Sequence, residues 1–266
     1  MRNRPLSTTF LATSALVVAS LFAGGPASAL KKAPYPEIKV EIAEAFAPDP
    51  AFNAMRKTLS DAVSAKNADA LFALVGPTFV WTVEGGATDE FDMGRTPVDN
   101  FKAVFGFRAP NADKDGGVEG GPFWDALAGF AADGTFFKSP DAGNLVCGPI
   151  SAQVVSDNAF EAARKKIETD EEPALWYFTL AETPVTAAPD GKGNPVAKVA
   201  KVALPVLGVH PPQDDAKPTH IEVLLPSGKS GWIPVAAARP LVSNRLCYSK
   251  TPAGEWKITT FDQNED

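Results

Sequence analysis

Leu224-Leu225-Pro226-Ser227-Gly228-Lys229-Ser230-Gly231-Trp232-Ile233 places two β-forming apolar runs on either side of a proline–serine–glycine–lysine turn. Proline presets φ for a turn, and glycine accepts the positive φ that tight reversals need. The pattern predicts a hairpin. From Trp176 onward similar short runs recur at Trp176–Leu180, Val185–Ala188, Val196–Val202, Pro205–Val209, Ile221–Leu225 and Gly231–Val235. Pro189-Asp190-Gly191-Lys192-Gly193 supplies a second turn between them. Short strands at this spacing predict a small barrel or sandwich over residues 171–243.

Upstream the periodicity is helical. Residues 30–48 are proline-punctuated and read as an arm or an edge strand. Asp49-Pro50 reads as an N-cap followed by proline at the first helical position. Phe52, Met55, Leu59 and Val63 then give one apolar helix face as far as Lys66. A second short helix carries Leu71, Leu74 and Val75 and stops at Gly76-Pro77, and Thr78–Val83 reads as a strand ending at Gly85-Gly86. Thr96-Pro97-Val98-Asp99 resembles a capping box, opening a helix with Val98, Phe101, Val104 and Phe105 on one face and Gly106 at its end. Phe123, Trp124, Leu127 and Phe130 mark another helix. Phe160, Ala163 and Ile167 mark one more, ahead of the acidic run Asp170-Glu171-Glu172-Pro173. Residues 49–170 therefore read as a helix-rich α+β domain, and the chain as α+β.

The terminal segment 244–266 alternates again. Asn244–Ser249 and Glu255–Phe261 flank Thr251-Pro252-Ala253-Gly254, a hairpin pattern. It either returns to the first domain, which makes the β-rich module an insertion, or packs as an extra hairpin on that module.

Met1–Ala29 has the form of a cleavable secretory leader. Arg2 and Arg4 precede an apolar run from Phe10 to Ala23, Pro26 breaks the helix, and Ala27-Ser28-Ala29 offers small residues for cleavage. The run is short for a bilayer span of about 20 residues, so export is expected over a membrane anchor. Removing 29 of 266 residues leaves 237 and takes the net charge from −7 to −9. That acidity argues against nucleic acid and anionic membrane surfaces as partners. Cys147 and Cys247 are the two cysteines, and in an oxidising compartment they are most simply a disulfide. Closing a loop of about 100 residues contributes up to about 4.7 kcal/mol in the chain-entropy picture.

The run Leu224–Ile233 resembles the bacterial SH3-like (SH3b) family, in which a strand, a glycine turn and a Gly-Trp-Val/Ile step end the barrel. Thr183-Pro184-Val185-Thr186-Ala187-Ala188-Pro189 resembles that family's first strand and loop, and Leu204-Pro205-Val206-Leu207-Gly208-Val209 its central strand. The chain departs from the family pattern at Val185-Thr186-Ala187 and at Thr219-His220. The resemblance implies a binding barrel for cell-wall peptidoglycan, peptides or an envelope protein. Trp232 is the groove candidate, or else a core tryptophan, and Trp176 and Tyr177 are the other candidate ligand contacts.

The opening helix pair, Phe79-Val80-Trp81-Thr82-Val83 and Gly254-Glu255-Trp256-Lys257-Ile258 resemble NTF2-like domains, which serve as pockets or scaffolds. Enzymes of that superfamily usually carry histidine and aspartate in the pocket, yet residues 49–170 contain no histidine. Glu84, Asp89, Glu90 and Asp92 are either pocket carboxylates or a solvated acidic loop.

Asn111-Ala112-Asp113-Lys114-Asp115-Gly116-Gly117-Val118 matches the front of a calcium loop. Pro122 stands where the bidentate glutamate belongs, so an ordinary polar turn reads equally well. His210 and His220 are the only histidines, and neither stands at ligand spacing from another histidine or cysteine; a metal pair there depends on the fold. No catalytic residue, metal or cofactor is assigned. The expectation is an exported, non-enzymatic binding or scaffold protein of the periplasm or the outside medium, with an NTF2-like small-molecule or hydrolytic pocket as the alternative.

Overall fold

The computed structural model describes residues 30–83, 86–87, 94–107, 123–140, 144–169, 175–192, 194–212 and 217–264. The leader, the four acids between positions 84 and 92, the calcium-like loop and the acidic run at 170–173 lie outside the described residues. In chain order the elements are β1 (Ile38–Ile42), α1 (Pro50–Ser64), α2 (Ala68–Phe72), β2 (Val75–Val83), β3 (Gly86–Ala87), α3 (Pro97–Val104), α4 (Trp124–Ala132), β4 (Phe137–Lys138), β5 (Val146–Gly148), β6 (Ala152–Val154), α5 (Asp157–Ile167), β7 (Trp176–Thr179), β8 (Thr183–Thr186), β9 (Pro195–Val199), β10 (Val202–His210), β11 (His220–Leu224), β12 (Ser230–Pro234), β13 (Ala238–Pro240), β14 (Arg245–Lys250) and β15 (Trp256–Gln263). The protein is α+β.

The helix starts follow local chemistry. The Asp49 carboxylate accepts the Phe52 amide at 2.7 Å, and Pro50 occupies a position that needs no donor. Thr96 accepts the Asp99 amide at 3.2 Å while donating its hydroxyl to the Asp99 carboxylate at 2.7 Å. Ser156 caps α5 at 3.3 Å, and Asn67 caps α2 at 3.0 Å.

Six strands form one sheet in the order β3-β2-β15-β14-β5-β4, antiparallel except for the parallel pair β2–β15. The terminal hairpin β14–β15 thus lies inside this sheet, between β2 and β5. Its core holds Phe52, Leu59, Leu71, Phe101 and Leu127 at zero exposure together with Phe79, Tyr248, Ile258 and Phe261. Phe52 alone meets Phe46, Phe136, Tyr248 and Trp256 edge-on, at centroid separations of 4.9 to 5.3 Å. Edge-to-face pairs of this kind add about 0.5–1.5 kcal/mol each beyond area burial.

Gly76-Pro77 does not stop a helix ahead of a strand at Thr78; both residues belong to β2. The β2–β15 register slips between Ile258 and Thr260, which face Val75 and Val80. Proline, lacking an N–H, is tolerated in such a bulge. Gly76 is pressed so close that a Cβ would lie 2.9 Å from Thr259 Cγ2.

The second sheet has the order β13-β7-β10-β11-β12-β8-β9, with β1 added on β10 and β6 on β1. Strand β10 pairs with β7 through Ala203–Pro205 and with β11 through Val206–His210, with a register shift between Val206 and Gly208 that curls the sheet. Val185, Leu204, Ile221, Val223, Ile233 and Ala238 fill the inside of the curl at zero to 1% exposure.

Residues 38–42 are therefore neither an arm nor a one-sided edge. β1 pairs with β10 through Ile38 and Lys39 and with β6 through Val40–Ile42. A third apolar cluster sits beneath this junction, built from Ile38, Val40, Phe160, Ala163, Ile167, Trp176 and Phe178. The same cluster buries Cys147 and Cys247, which face each other across β5 and β14 with Cα atoms 4.0 Å apart and form a disulfide.

Candidate functional site

The curled sheet turns one set of side chains inward and the alternate set outward, as strand periodicity demands. Along β11, Ile221 and Val223 enter the core while His220 and Glu222 face out; along β12, Ile233 enters while Ser230 and Trp232 face out. Trp232 lies opposite Glu222 on one side and Thr186 on the other. It is half-buried and stands outside the apolar core of the curl. The His210 imidazole meets the indole edge-on with centroids 6.0 Å apart. Gly208 stands opposite Glu222, and a Cβ built on it meets nothing within 4 Å, so the face is open at that point.

His210 and His220 occupy directly opposed positions on β10 and β11. His220 Nδ1 lies 3.1 Å from the Thr219 hydroxyl, and that hydroxyl donates to the His210 carbonyl at 3.3 Å. Burial pushes the His220 pKa below the usual imidazole value and the nearby His210 reinforces this, while the Asp190 carboxylate pulls the other way. Gly191 holds φ +70° in the β8–β9 turn, and a Cβ there would come 2.9 Å from His220 Nε2. A glycine is required on both counts.

The N-terminal strap reaches the same face. Lys32 Nζ contacts the Glu222 carboxylate at 3.3 Å and the Ser230 hydroxyl at 3.0 Å. Tyr35 donates its hydroxyl to the Leu224 carbonyl at 2.6 Å, and burial drives its pKa far up. Gly228, at φ +79°, lies so close under the strap that a Cβ would sit 2.8 Å from the Pro34 nitrogen. The Gly228 turn that organises the hairpin thus also seats residues 31–35.

Trp176 and Tyr177 do not join this face. Trp176 is fully buried between Tyr35 and Phe160, with ring centroids at 6.2 and 4.8 Å, and Tyr177 is 5% exposed in the core of the curl, its phenol pushed up to about 12 by burial. Neither presents a surface to a ligand. Two consecutive aromatics in a β-run look like a binding platform in sequence, but here β7 is covered on both faces.

The other buried polar constellation holds elements together. Arg56 of α1 donates to the Tyr248 hydroxyl at 2.6 Å and to the carbonyls of Phe130, Ala131 and Asp133 at 2.5, 2.9 and 2.9 Å. It thereby caps the C-terminal end of α4, which has no basic residue of its own. The guanidinium also lies 4.9 Å from the Phe136 ring centroid. The Asp133 carboxylate accepts from the Thr135 amide and hydroxyl at 2.7 and 2.5 Å and pairs with Arg239 Nε of β13 at 2.9 Å, with both side chains under 10% exposed. Sequence reasoning passed over Arg56, Asp133 and Arg239. A lone arginine on an apolar helix face, the only charge at a core position of α1, was the available signal.

Among the described residues no group of three or more His, Cys, Asp or Glu is placed to hold a metal ion. No helix among them is long and apolar enough to cross a membrane. Compared with known protein families, curated proteins and solved structures, the chain matches none of them.

Proposed function

We propose that this is an exported, non-enzymatic binding protein in which the curled sheet acts as an SH3-like module and the six-stranded sheet with its helices as an NTF2-like scaffold. The observation that carries the reading is Trp232: a half-buried indole on the outer face of β12, held edge-on to His210, with the open position at Gly208 across Glu222. An aromatic plane flanked by hydrogen-bonding groups suits sugar rings and extended peptides. Cell-wall peptidoglycan, or a peptide of an envelope protein, is therefore the ligand class. The parallel β2–β15 pairing, with antiparallel β14, β5 and β4 beyond it, supports the NTF2-like part of the reading. Its interior is packed with aromatic side chains, and Arg56, Tyr248 and Asp133 are engaged with one another's elements, which favours a scaffold over the alternative small-molecule pocket. The buried disulfide is compatible with export.

The test is co-sedimentation of the purified protein with insoluble peptidoglycan and, in parallel, capture of envelope peptides. The wild type should be retained and Trp232→Ala largely lost with its circular dichroism unchanged. Retention of the variant at wild-type level, or no retention of the wild type by either material, overturns the reading. N-terminal sequencing of protein recovered outside the cytoplasm should begin at Leu30.

A further inference from the structure

We propose that His210 and His220 form a two-imidazole chelating site for one divalent transition-metal ion, copper(II) ahead of zinc(II), on the outer face of the curled sheet. The site shares His210 with the Trp232 face, and its test needs no glycan or peptide. Four observations lead to it.

The register places the two histidines directly opposite each other on β10 and β11. Directly opposed residues hold their Cβ atoms about 4.5–5.5 Å apart on the same face. One ion bound by two imidazole nitrogens at about 2.0–2.1 Å each fits across that span. The coordination is bidentate and open-sided, with water in the remaining positions, which agrees with the absence of a third donor among the described residues.

The second observation is the tautomer. The Thr219 hydroxyl has the His210 carbonyl as an acceptor at 3.3 Å, so its proton is directed there and its oxygen is left to accept from His220 Nδ1–H at 3.1 Å. With the proton on Nδ1, the lone pair of His220 is on Nε2. A hydrogen-bonded partner on the non-ligating nitrogen is the usual support of a metal-binding imidazole, fixing both ring orientation and tautomer.

Third, space beside Nε2 is kept clear of side chain by Gly191, whose Cβ, were there one, would lie 2.9 Å from that nitrogen. Fourth, both rings are half-buried rather than covered, so an ion can reach them from water. Imidazole donors with open water positions follow the order in which copper(II) binds more tightly than zinc(II).

The indole 6.0 Å from His210 gives the site its own optical reporter, because bound copper(II) quenches a neighbouring tryptophan. The experiment titrates the purified, disulfide-bonded protein with copper(II) chloride and with zinc chloride at pH 7. Quenching is followed for both wild type and Trp232→Phe, and copper electron paramagnetic resonance is recorded for nitrogen hyperfine structure. The expected result is one saturable equivalent with two-nitrogen hyperfine, and quenching that is largely lost in Trp232→Phe although the resonance spectrum stays. His210→Gln and His220→Gln should each weaken that equivalent by at least about tenfold, the lower end of what even outer-shell changes cost. Gly191→Ala should weaken it with both histidines present. The proposal is overturned if the double variant His210→Gln/His220→Gln binds the first equivalent with wild-type affinity. It is equally overturned if wild type shows no saturable equivalent, or if the resonance shows fewer than two nitrogens.

Discussion

Arg239→Met should be strongly destabilising, because it strands a buried carboxylate. Arg239 Nε sits 2.9 Å from the Asp133 carboxylate, with 6% and 9% of the two side chains exposed. Its Nη1 also donates to the carbonyls of Ala238 at 2.8 Å and Ala236 at 3.3 Å. Removing one partner of a buried ion pair costs about 3–5 kcal/mol, since the other charge keeps its desolvation penalty. Thr135 still serves one carboxylate oxygen of Asp133, which places the expected loss toward the lower end, about 3 kcal/mol. Because β13 belongs to the curled sheet and Asp133 follows α4, the loss falls on the contact between the two halves of the molecule. Urea unfolding followed by tryptophan fluorescence and by far-ultraviolet circular dichroism measures it. The midpoint should fall, and the two probes should separate if the halves no longer unfold together. The double variant Asp133→Asn/Arg239→Met should recover part of the loss, since it removes both charges. A single variant within about 0.5 kcal/mol of wild type, the range of ordinary surface changes, would refute the reasoning. So would a double variant that is as unstable as the sum of the singles.

Replacing both cysteines by alanine should lower stability by about 2–5 kcal/mol, read from the urea midpoint, while leaving retention by peptidoglycan unchanged. Free thiols in the native protein, by thiol titration after denaturation, would contradict the bridge itself. Gly228→Ala should cost about 1–2 kcal/mol from its positive φ alone, and more through the Pro34 contact, with the strap's backbone amides exchanging faster in hydrogen-exchange mass spectrometry. His220 binds its proton less readily folded than unfolded, so stability falls as pH drops below the ordinary histidine value of about 6.5 and levels off below the folded pKa. A His220→Gln variant should flatten that decline in thermal melts between pH 5 and pH 7; an identical slope in both proteins would remove His220 as its source.

Where one residue decides its own local geometry, the sequence was readable. Asp49-Pro50, Thr96-Pro97 and Gly228 act within a single turn, so the starts of α1 and α3 and the β11–β12 reversal are legible from composition alone. Strands β7 to β12 are legible within about three residues from their short apolar runs and turn residues, whereas β13 is not. What depends on register was not legible. His210 and His220 stand ten positions apart with prolines between them, and only the shift at Val206/Gly208 brings them opposite each other. Gly76-Pro77 reads as a stop unless the bulge against β15 is known. Trp176 and Tyr177 offered an aromatic pair to a ligand, but β7 lies between β10 and β13 with both faces buried, and nothing local announces a second covered face. Trp232 was legible as an aromatic on the turn-proximal strand, and its outward direction came only with the alternation of β12.

The parallel pairing of β2 with β15 fixes an order of events. Trp81 and Gln263, joined by a 3.1 Å hydrogen bond across that pair, lie 182 positions apart in the chain. The middle of the six-stranded sheet cannot zip until almost the entire polypeptide is present, and until then β2 and the helices before it have no sheet to cover. A chain of such high contact order folds slowly, because the loop entropy is lost before the contacts that compensate it are made. Under the export proposed above, that delay would be serviceable: a polypeptide threaded outward from its N-terminus would lock its fold only once the trailing hairpin arrives.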